Sequence, residues 1–224
     1  MSSDSSRPTK TKSSDISQGK RHNLSLTLFT ISPVEQDSNA NDAKSRNNNQ
    51  LRCRLNPGSD EHTFVLHKFQ ETMQQSNSYS QIIVIEQIHN ETWLLQYEVQ
   101  RNGLFEQLKK DTEQFLFHGC ADIAVENIIK RGFDRNRAGE VHGTSYGRGV
   151  YFSRSALESH GYTKANQSAE RHMFLTRVLV GNTMQGNSSV KYIPDGYHTT
   201  SNGKDIFVTY HDSQAYAAYL IVYK

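Results

Sequence analysis

The chain has few cysteines and no long apolar run, and both shortages narrow the classes of protein to which it can belong. Among its 224 residues only Cys53 and Cys120 are cysteines, too few for a zinc finger of the usual kind or for a disulfide framework. No apolar run approaches the ~18 residues of a membrane span, and the start, MSSDSSRPTKTK, lacks the apolar core of a secretory signal. We therefore expect a soluble intracellular protein, cytoplasmic or nuclear or both, with no membrane contact and no metal site.

The chain also carries little net charge, +2 at neutral pH. Residues 1–50 hold seven lysines and arginines and five acidic residues, and the remainder holds 18 of each sign. A neutral domain is poorly suited to binding nucleic acid by neutralising phosphates. The sequence therefore does not indicate a nucleic-acid partner.

Large apolar side chains are scarce near the N-terminus. Residues 1–50 are rich in Ser, Asn, Asp and Lys, a composition that cannot bury enough apolar surface to fold. We predict a disordered, low-complexity tail or linker over residues 1–55 and a folded domain over residues 56–224. The one apolar interruption, Leu24–Ile31, is either an isolated segment without a role or a short docking strand.

Apolar spacing at the start of the domain predicts two helices and a strand. Residues 63–73 have helical spacing, and residues 81–88 are rich in the β-branched residues of strands. Asn90 is placed to cap a helix over residues 91–110, with Gly103 as a candidate interruption. The apolar positions of that helix are Trp93, Leu94, Tyr97, Val99, Leu104 and Leu108.

The C-terminal half predicts mostly strands, separated by loops and one short helix. Helices followed by several strands indicate the α+β class, since a regular βαβ alternation is missing. The predicted strands cover residues 174–180, 190–193, 205–210 and 219–223, the short helix residues 168–173, and a loop residues 198–204.

The stretch around which the chain is organised runs from Phe115 to Tyr162. An apolar run ends on a His-Gly pair at 118–119, a helical pattern over residues 123–129 follows, and a glycine-containing loop leads to the short strand Val150–Phe152. His118 and Tyr151 are thereby delivered to strand ends, where ligand sites commonly lie. If each residue is considered alone, a structural role is the simpler interpretation: His118 as a turn residue and Tyr151 as a core aromatic residue.

Three motifs resemble a known family when they are taken in order. They are Leu116-Phe-His-Gly119, Gly147-Arg-Gly-Val-Tyr-Phe152 and the terminal Tyr216-Ala-Ala-Tyr-Leu-Ile-Val-Tyr223. Together they resemble the catalytic domain of the poly(ADP-ribose) polymerase superfamily, and more narrowly its mono-ADP-ribosyltransferase branch, which includes macrodomain-containing members. The resemblance covers about residues 60–224. It implies an ADP-ribosyltransferase fold of two packed, mostly antiparallel β-sheets with flanking helices and an NAD-binding cleft.

The resemblance also implies roles for particular residues. NAD+ would be the co-substrate, with its nicotinamide between the rings of Tyr151 and Tyr162. Gly119 would pair its backbone with the carboxamide, because glycine permits close approach, and the Ser159 hydroxyl would complete the donors and acceptors that a carboxamide needs. His118 would hold ribose hydroxyls.

A third family position bears on the type of reaction. Polymerising members carry a glutamate there, and the resemblance places Leu220 at that position, while residues 171–224 contain no glutamate. The triad His118, Tyr151 and Leu220 therefore implies transfer of a single ADP-ribose to a protein acceptor, the protein itself among the candidates. In place of the missing carboxylate, an acceptor Glu or Asp would both stabilise the ribosyl cation and attack it.

The loop over residues 133–149 would lie over the NAD diphosphate. Its arginines, Arg135, Arg137 and Arg148, suit phosphates, and Tyr146 is expected to contact the adenosine side. A solvated charged loop is the plainer alternative for this segment.

Cys120 departs from the family pattern, in which Ser or Thr commonly follows the His-Gly pair. A thiol is a weak hydrogen bonder, so a contact to the adenosine ribose would be weakened. Cys120 is more ordinary as a small buried residue than as a reactive one.

Other functions remain open from the sequence. The main alternative is a catalytically inactive relative that keeps the fold as a binding or scaffold module. A chain-forming polymerase is disfavoured by the missing glutamate. Transfer to nucleic-acid ends has no support from a neutral domain.

Overall fold

A computed structural model describes residues 51–73, 78–137 and 143–224. Most of the predicted tail, with Leu24–Ile31, lies outside the described residues. The described helices are α1 (Asp60–Met73), α2 (Glu91–Leu108), α3 (Asp122–Arg131) and α4 (Ala156–His160), with short 3-10 helices at Arg135–Arg137 and Asp212–Gln214. The described strands are β1 (Arg52–Arg54), β2 (Ile82–Ile88), β3 (Glu113–Cys120), β4 (Val150–Ser153), β5 (Arg171–Leu179), β6 (Thr183–Gln185), β7 (Thr199–Ser201), β8 (Ile206–Thr209) and β9 (Ala215–Tyr223).

The strands form one hydrogen-bonded order, β1-β2-β9-β5-β3-β4-β8-β7-β6. Every neighbouring pair is antiparallel except β6 and β7, which are parallel. The α+β class is therefore confirmed. The two sheets implied by the resemblance are joined here, because β3 and β4 meet through a single registered pair, Phe117 with Ser153. Five strands lie on one side of that junction and four on the other.

The folded unit begins earlier than predicted. β1 lies inside the expected tail, yet Arg52, Cys53 and Arg54 pair with residues of β2. These three residues carry no strong strand pattern of their own, so only the pairing with β2 reveals the element.

Two apolar clusters cover the two faces of the central strands. Along β5, Met173 and Leu175 pack in the cluster that includes residues of α1 and α2. Phe174, between them, packs in the other cluster, with residues of α3. Successive side chains of a strand point to opposite faces, so β5 is buried on both sides. β9 is buried along its whole length, and both strands therefore form the centre of the core.

The boundaries of α2 follow the predicted capping. The Asn90 side chain accepts a hydrogen bond from Trp93 N–H at 3.3 Å, and its amide donates to Ile129 C=O at 2.8 Å. The cap therefore also ties the start of α2 to the last turn of α3. Gly103 does not interrupt the helix, and Val99, predicted to face the core, is 65% exposed.

Three predictions for the C-terminal half were wrong. Residues 168–170 are not helical, because Asn166 Oδ1 accepts from Ser168 N–H and Glu170 N–H, both at 2.9 Å, and holds a turn before β5. Residues 190–193 form no strand, and the predicted loop over residues 198–204 contains β7. Each of these three segments is decided by contacts distant in sequence or by a local turn that a side chain holds.

Within the described residues, each helix is too short or too polar to cross a bilayer.

Replacing Asn90 by alanine should lower the free energy of unfolding by about 1–3 kcal/mol, because a buried cap and a bond to α3 are both lost. Asn90→Ser keeps a capping oxygen and should lose less. Equilibrium unfolding in urea measures both variants. Equal losses for alanine and serine would show that the cap itself contributes nothing.

Candidate functional site

A cavity of about 380 Å³ lies where β3 and β4 part beyond their single registered pair. One wall comes from α3 and the segment after it, and the other from β4, α4 and the residues that follow α4. The volume lies in the range of small-molecule sites. Six of the predicted site residues line this cavity: His118, Gly119, Arg137, Tyr151, Ser159 and Tyr162.

His118 lies near the end of β3 with its ring held from three sides. Its Nδ1 lies 2.9 Å from Tyr151 C=O, and its ring contacts those of Phe133 and Phe152, with centroids 5.1 and 5.5 Å away. A carbonyl oxygen only accepts, so Nδ1 carries the proton and donates. Burial lowers the pKa of His118 below its ordinary value. The ring is therefore neutral at pH 7 and its Nε2 is an acceptor.

The hydroxyl of Tyr151 is occupied by backbone groups of the preceding loop. It donates to Gly147 C=O at 2.8 Å and accepts from Tyr146 N–H at 2.9 Å. Burial raises the pKa of this hydroxyl, so it stays protonated. These bonds fix the ring orientation and leave the ring itself as the surface that Tyr151 presents to the cavity.

Gly119 is required by the packing of α4 on β3. A Cβ at this position would lie 2.0 Å from the Ser159 carbonyl oxygen, and the Ser159 hydroxyl donates to Phe117 C=O at 3.1 Å. The expected reason for this glycine was close approach of a ligand. The structure adds a reason of its own, since any side chain would separate α4 from β3.

The three loop arginines have different positions. Arg137 lines the cavity. Arg135 donates to Tyr210 C=O at 3.0 Å and to Lys191 C=O at 3.2 Å. Its guanidinium therefore connects the 3-10 helix after α3 to the two segments that contain these carbonyls. Arg148 is not among the lining residues; its backbone N–H donates to Val190 C=O at 2.8 Å.

Tyr146 does not line the cavity. It packs beside the small cluster of Ile206, Val208 and Tyr210, and its carbonyl accepts from Thr200 Oγ1 at 2.6 Å. Its N–H donates to the Tyr151 hydroxyl, so the backbone of Tyr146 helps to fix the position of the Tyr151 side chain.

Leu220 requires a correction, because the structure does not bring it to the other candidate residues. It is 1% exposed, lies on β9 between Phe174 and Glu86 of the flanking strands, and packs in the core cluster on the α3 side. Its side chain is enclosed by the central strands and does not line the cavity.

Ile206 is one of the cavity residues that the sequence analysis did not predict. It begins β8, pairs with Ser153 of β4, and lines the cavity with Tyr151. Its strand was predicted, but no local signal tells which predicted strand lies beside β4. Ile206 is apolar, so the cavity wall carries no carboxylate at this position.

Comparison with known protein families gives a match over the part of the chain that contains the cavity residues. The sequence model described as "Poly(ADP-ribose) polymerase catalytic domain" matches residues 59–206. The chain belongs to this family. The motif resemblance is therefore confirmed.

Several named relatives are mono-ADP-ribosyltransferases. Human protein mono-ADP-ribosyltransferase PARP12 is 34% identical over 181 residues, covering 75% of this chain and 25% of the relative. Human PARP14 is 29% identical over 219 residues, with 92% and 12% covered. Mouse PARP10 is 30% identical over 183 residues, with 76% and 19% covered. The chain thus spans a quarter or less of the length of these relatives.

In this member of the poly(ADP-ribose) polymerase family, the described residues that line the buried part of the cavity are uncharged. Cys120 lines it, and burial raises the pKa of its thiol to about 12, so it stays protonated. The charged lining residues are exposed: Asp134, Arg137, Glu158 and Lys164. A neutral interior with charges near solvent suits a ligand that has an uncharged polar part and charged groups.

A pair of glycine substitutions tests the packing of α4 on β3. Gly119→Ala should destabilise the domain by about 1–3 kcal/mol, the cost of forcing atoms into a packed contact. Gly103→Ala, in α2, meets nothing within 4 Å and should stabilise by about 0.5–1 kcal/mol. Thermal unfolding measures both variants. A neutral Gly119→Ala would show that the contact with Ser159 gives way easily.

Proposed function

We propose that this chain transfers a single ADP-ribose from NAD+ to a protein side chain and releases nicotinamide. The observation that carries the proposal is the cavity between β3 and β4, lined by His118, Gly119, Tyr151, Ser159 and Tyr162. Membership of the poly(ADP-ribose) polymerase family and the names of the relatives support the same activity. The acceptors are proteins, this protein among them.

In the proposed complex, the nicotinamide carboxamide binds to the end of β3. Residues two apart in an antiparallel strand direct their backbone groups to the same edge. Since Phe117 C=O faces Ser159, the N–H and C=O of Gly119 face that same side, toward the cavity. They supply one donor and one acceptor for the carboxamide. The ring then lies between Tyr151 and Tyr162, with offset stacking on each.

The proposed chemistry is substitution at the nicotinamide ribose. The C1′–N bond breaks, its electron pair leaves with neutral nicotinamide, and positive charge develops on the ribose as in other glycosyl transfers. An acceptor oxygen then forms the new bond to C1′. His118 Nε2 accepts from a ribose hydroxyl and orients the sugar, a role that requires the neutral ring.

Ile206 supports single transfer over chain growth. Extending a chain requires a sugar hydroxyl to be oriented and activated as the next acceptor, which a carboxylate does well. The aliphatic side chain of Ile206 makes no hydrogen bond. A carboxylate acceptor needs no such activation, because it arrives ionised and its charge stabilises the ribosyl cation as it attacks.

A transfer assay tests the proposal directly. The full chain is incubated with labelled NAD+, and its intact mass and that of added acceptor proteins are measured. We expect single ADP-ribose additions, absent from Tyr151→Ala, which removes the stacking ring. Long ADP-ribose chains would contradict the interpretation that Ile206 favours single transfer. NAD+ binding without transfer would favour the alternative of a catalytically inactive binding module.

Two glutamate substitutions compare Ile206, which lines the cavity, with Leu220, at which the resemblance places the family glutamate. Ile206→Glu should fold and alter the rate or the products of transfer, because it adds a carboxylate to the cavity. Leu220→Glu should unfold the domain, because it buries an unpaired charge. A folded Leu220→Glu variant with altered products would restore Leu220 as the site residue.

The His118 assignment predicts a pH dependence. Because its pKa lies below the ordinary 6.5, the ring is neutral from about pH 7 upward and gains a proton only in more acid solution. NAD+ affinity should therefore be level from about pH 7 to 8.5 and fall as the pH drops through the lowered pKa. Titration calorimetry measures the profile. His118→Gln should bind more weakly, without this acid loss, and an equal loss in that variant would assign the titration elsewhere.

A further inference from the structure

Glu158 occupies the position at which a helix-capping glutamate is expected. Ser155 is the N-cap of α4, and its hydroxyl accepts from Glu158 N–H at 3.3 Å. In a full capping box, the glutamate side chain would in turn accept from the N-cap N–H. Here that N–H of Ser155 donates instead to Ser153 Oγ, at 3.0 Å. The usual structural role of the carboxylate is therefore taken by another group.

Glu158 instead lines the cavity. It is exposed and lies near Tyr162, four residues on. Both residues line the cavity, and burial and then the charge of Glu158 raise the pKa of the Tyr162 hydroxyl.

Asp134, the other carboxylate among the described lining residues, differs from Glu158. Its Oδ1 accepts from Asn136 N–H at 2.8 Å, so it has a structural use in the 3-10 helix that follows α3. Arg137 and Lys164, the cations among the described lining residues, belong to that helix and to the segment bridged to Ala121. Glu158 is thus the carboxylate on the α4 wall, where Ser159 and Tyr162 also lie.

We propose that Glu158 recognises the positive charge of the nicotinamide ring in NAD+, and so selects the oxidised dinucleotide. The proposal rests on the proposed function, which places that ring between Tyr151 and Tyr162. Aromatic faces attract a cation, and a nearby carboxylate adds attraction of the same sign. The α4 wall is therefore a receptor for a pyridinium cation.

This assignment has a kinetic consequence. The ring loses its positive charge as nicotinamide leaves, so an interaction with that charge is stronger in bound NAD+ than in the transition state. Such an interaction raises affinity without raising the rate of the chemical step. A carboxylate acting on the ribosyl cation would have the opposite signature, a lower kcat when it is removed.

The test compares NAD+ with NADH, whose nicotinamide ring is uncharged. Dissociation constants of both dinucleotides are measured for the full chain, for Glu158→Gln and for Glu106→Gln. Glu106 is a matched control, an exposed glutamate of α2 paired with Lys109 and absent from the cavity lining. Thermal unfolding of each variant confirms its fold.

We expect Glu158→Gln to weaken NAD+ binding by about two- to fivefold, the size of an exposed charge interaction, and to leave NADH binding unchanged. The difference should shrink with added salt. Steady-state transfer should show a raised KM and an unchanged or higher kcat. Glu106→Gln should match the parent chain in every measurement.

Three results would overturn the inference. Unchanged NAD+ binding in Glu158→Gln, or equal weakening of NAD+ and NADH, would remove charge recognition while leaving the proposed function intact. A fall in kcat at constant NAD+ affinity would move the carboxylate to the ribosyl cation. Failure of the parent chain to bind NAD+ would overturn the proposed function and this inference together.

Discussion

The unequal pairing of β3 is the constraint on which the site depends. On one edge β3 pairs with β5 through eight registered residues, and on the other only Phe117 pairs, with Ser153 of β4. Two strands that are fully hydrogen-bonded leave no room between their backbones, about 4.8 Å apart. Where β3 and β4 part, the end of β3 is left beside a cavity. α4 can close over it only because Gly119 has no side chain.

The polar groups around this opening are mostly held by backbone atoms. His118 donates to Tyr151 C=O, Tyr151 to Gly147 C=O, and Ser159 to Phe117 C=O. Each bond fixes an orientation before any ligand arrives, which reduces the ordering cost of binding. Burial keeps the imidazole and the phenol uncharged. The charged groups among the described lining residues are therefore exposed side chains, among them Glu158, at which a charged dinucleotide would bind.

Local signals were sufficient for part of the fold and of the site. The cap at Asn90 and the apolar spacing after it placed α2 nearly to the residue, because a capped helix is specified by neighbours in sequence. The His-Gly and GVYF motifs led to His118, Gly119 and Tyr151, which do line one cavity. The three residues of β1 and the start of β5 were not predicted, because pairing with β2 and a turn held by Asn166 decide them.

What the sequence by itself determined is the α+β class, the family and six of the residues that line the cavity, since short motifs and apolar periodicity specify these. Only the tertiary structure showed that Ile206 lines the cavity and that Leu220 does not. Both are apolar residues of predicted strands, and they differ in which strand is their neighbour: Leu220 lies between β2 and β5 in the core, whereas Ile206 lies against β4 at the cavity. Strand order is set by contacts between segments distant in sequence, so no local pattern carries it.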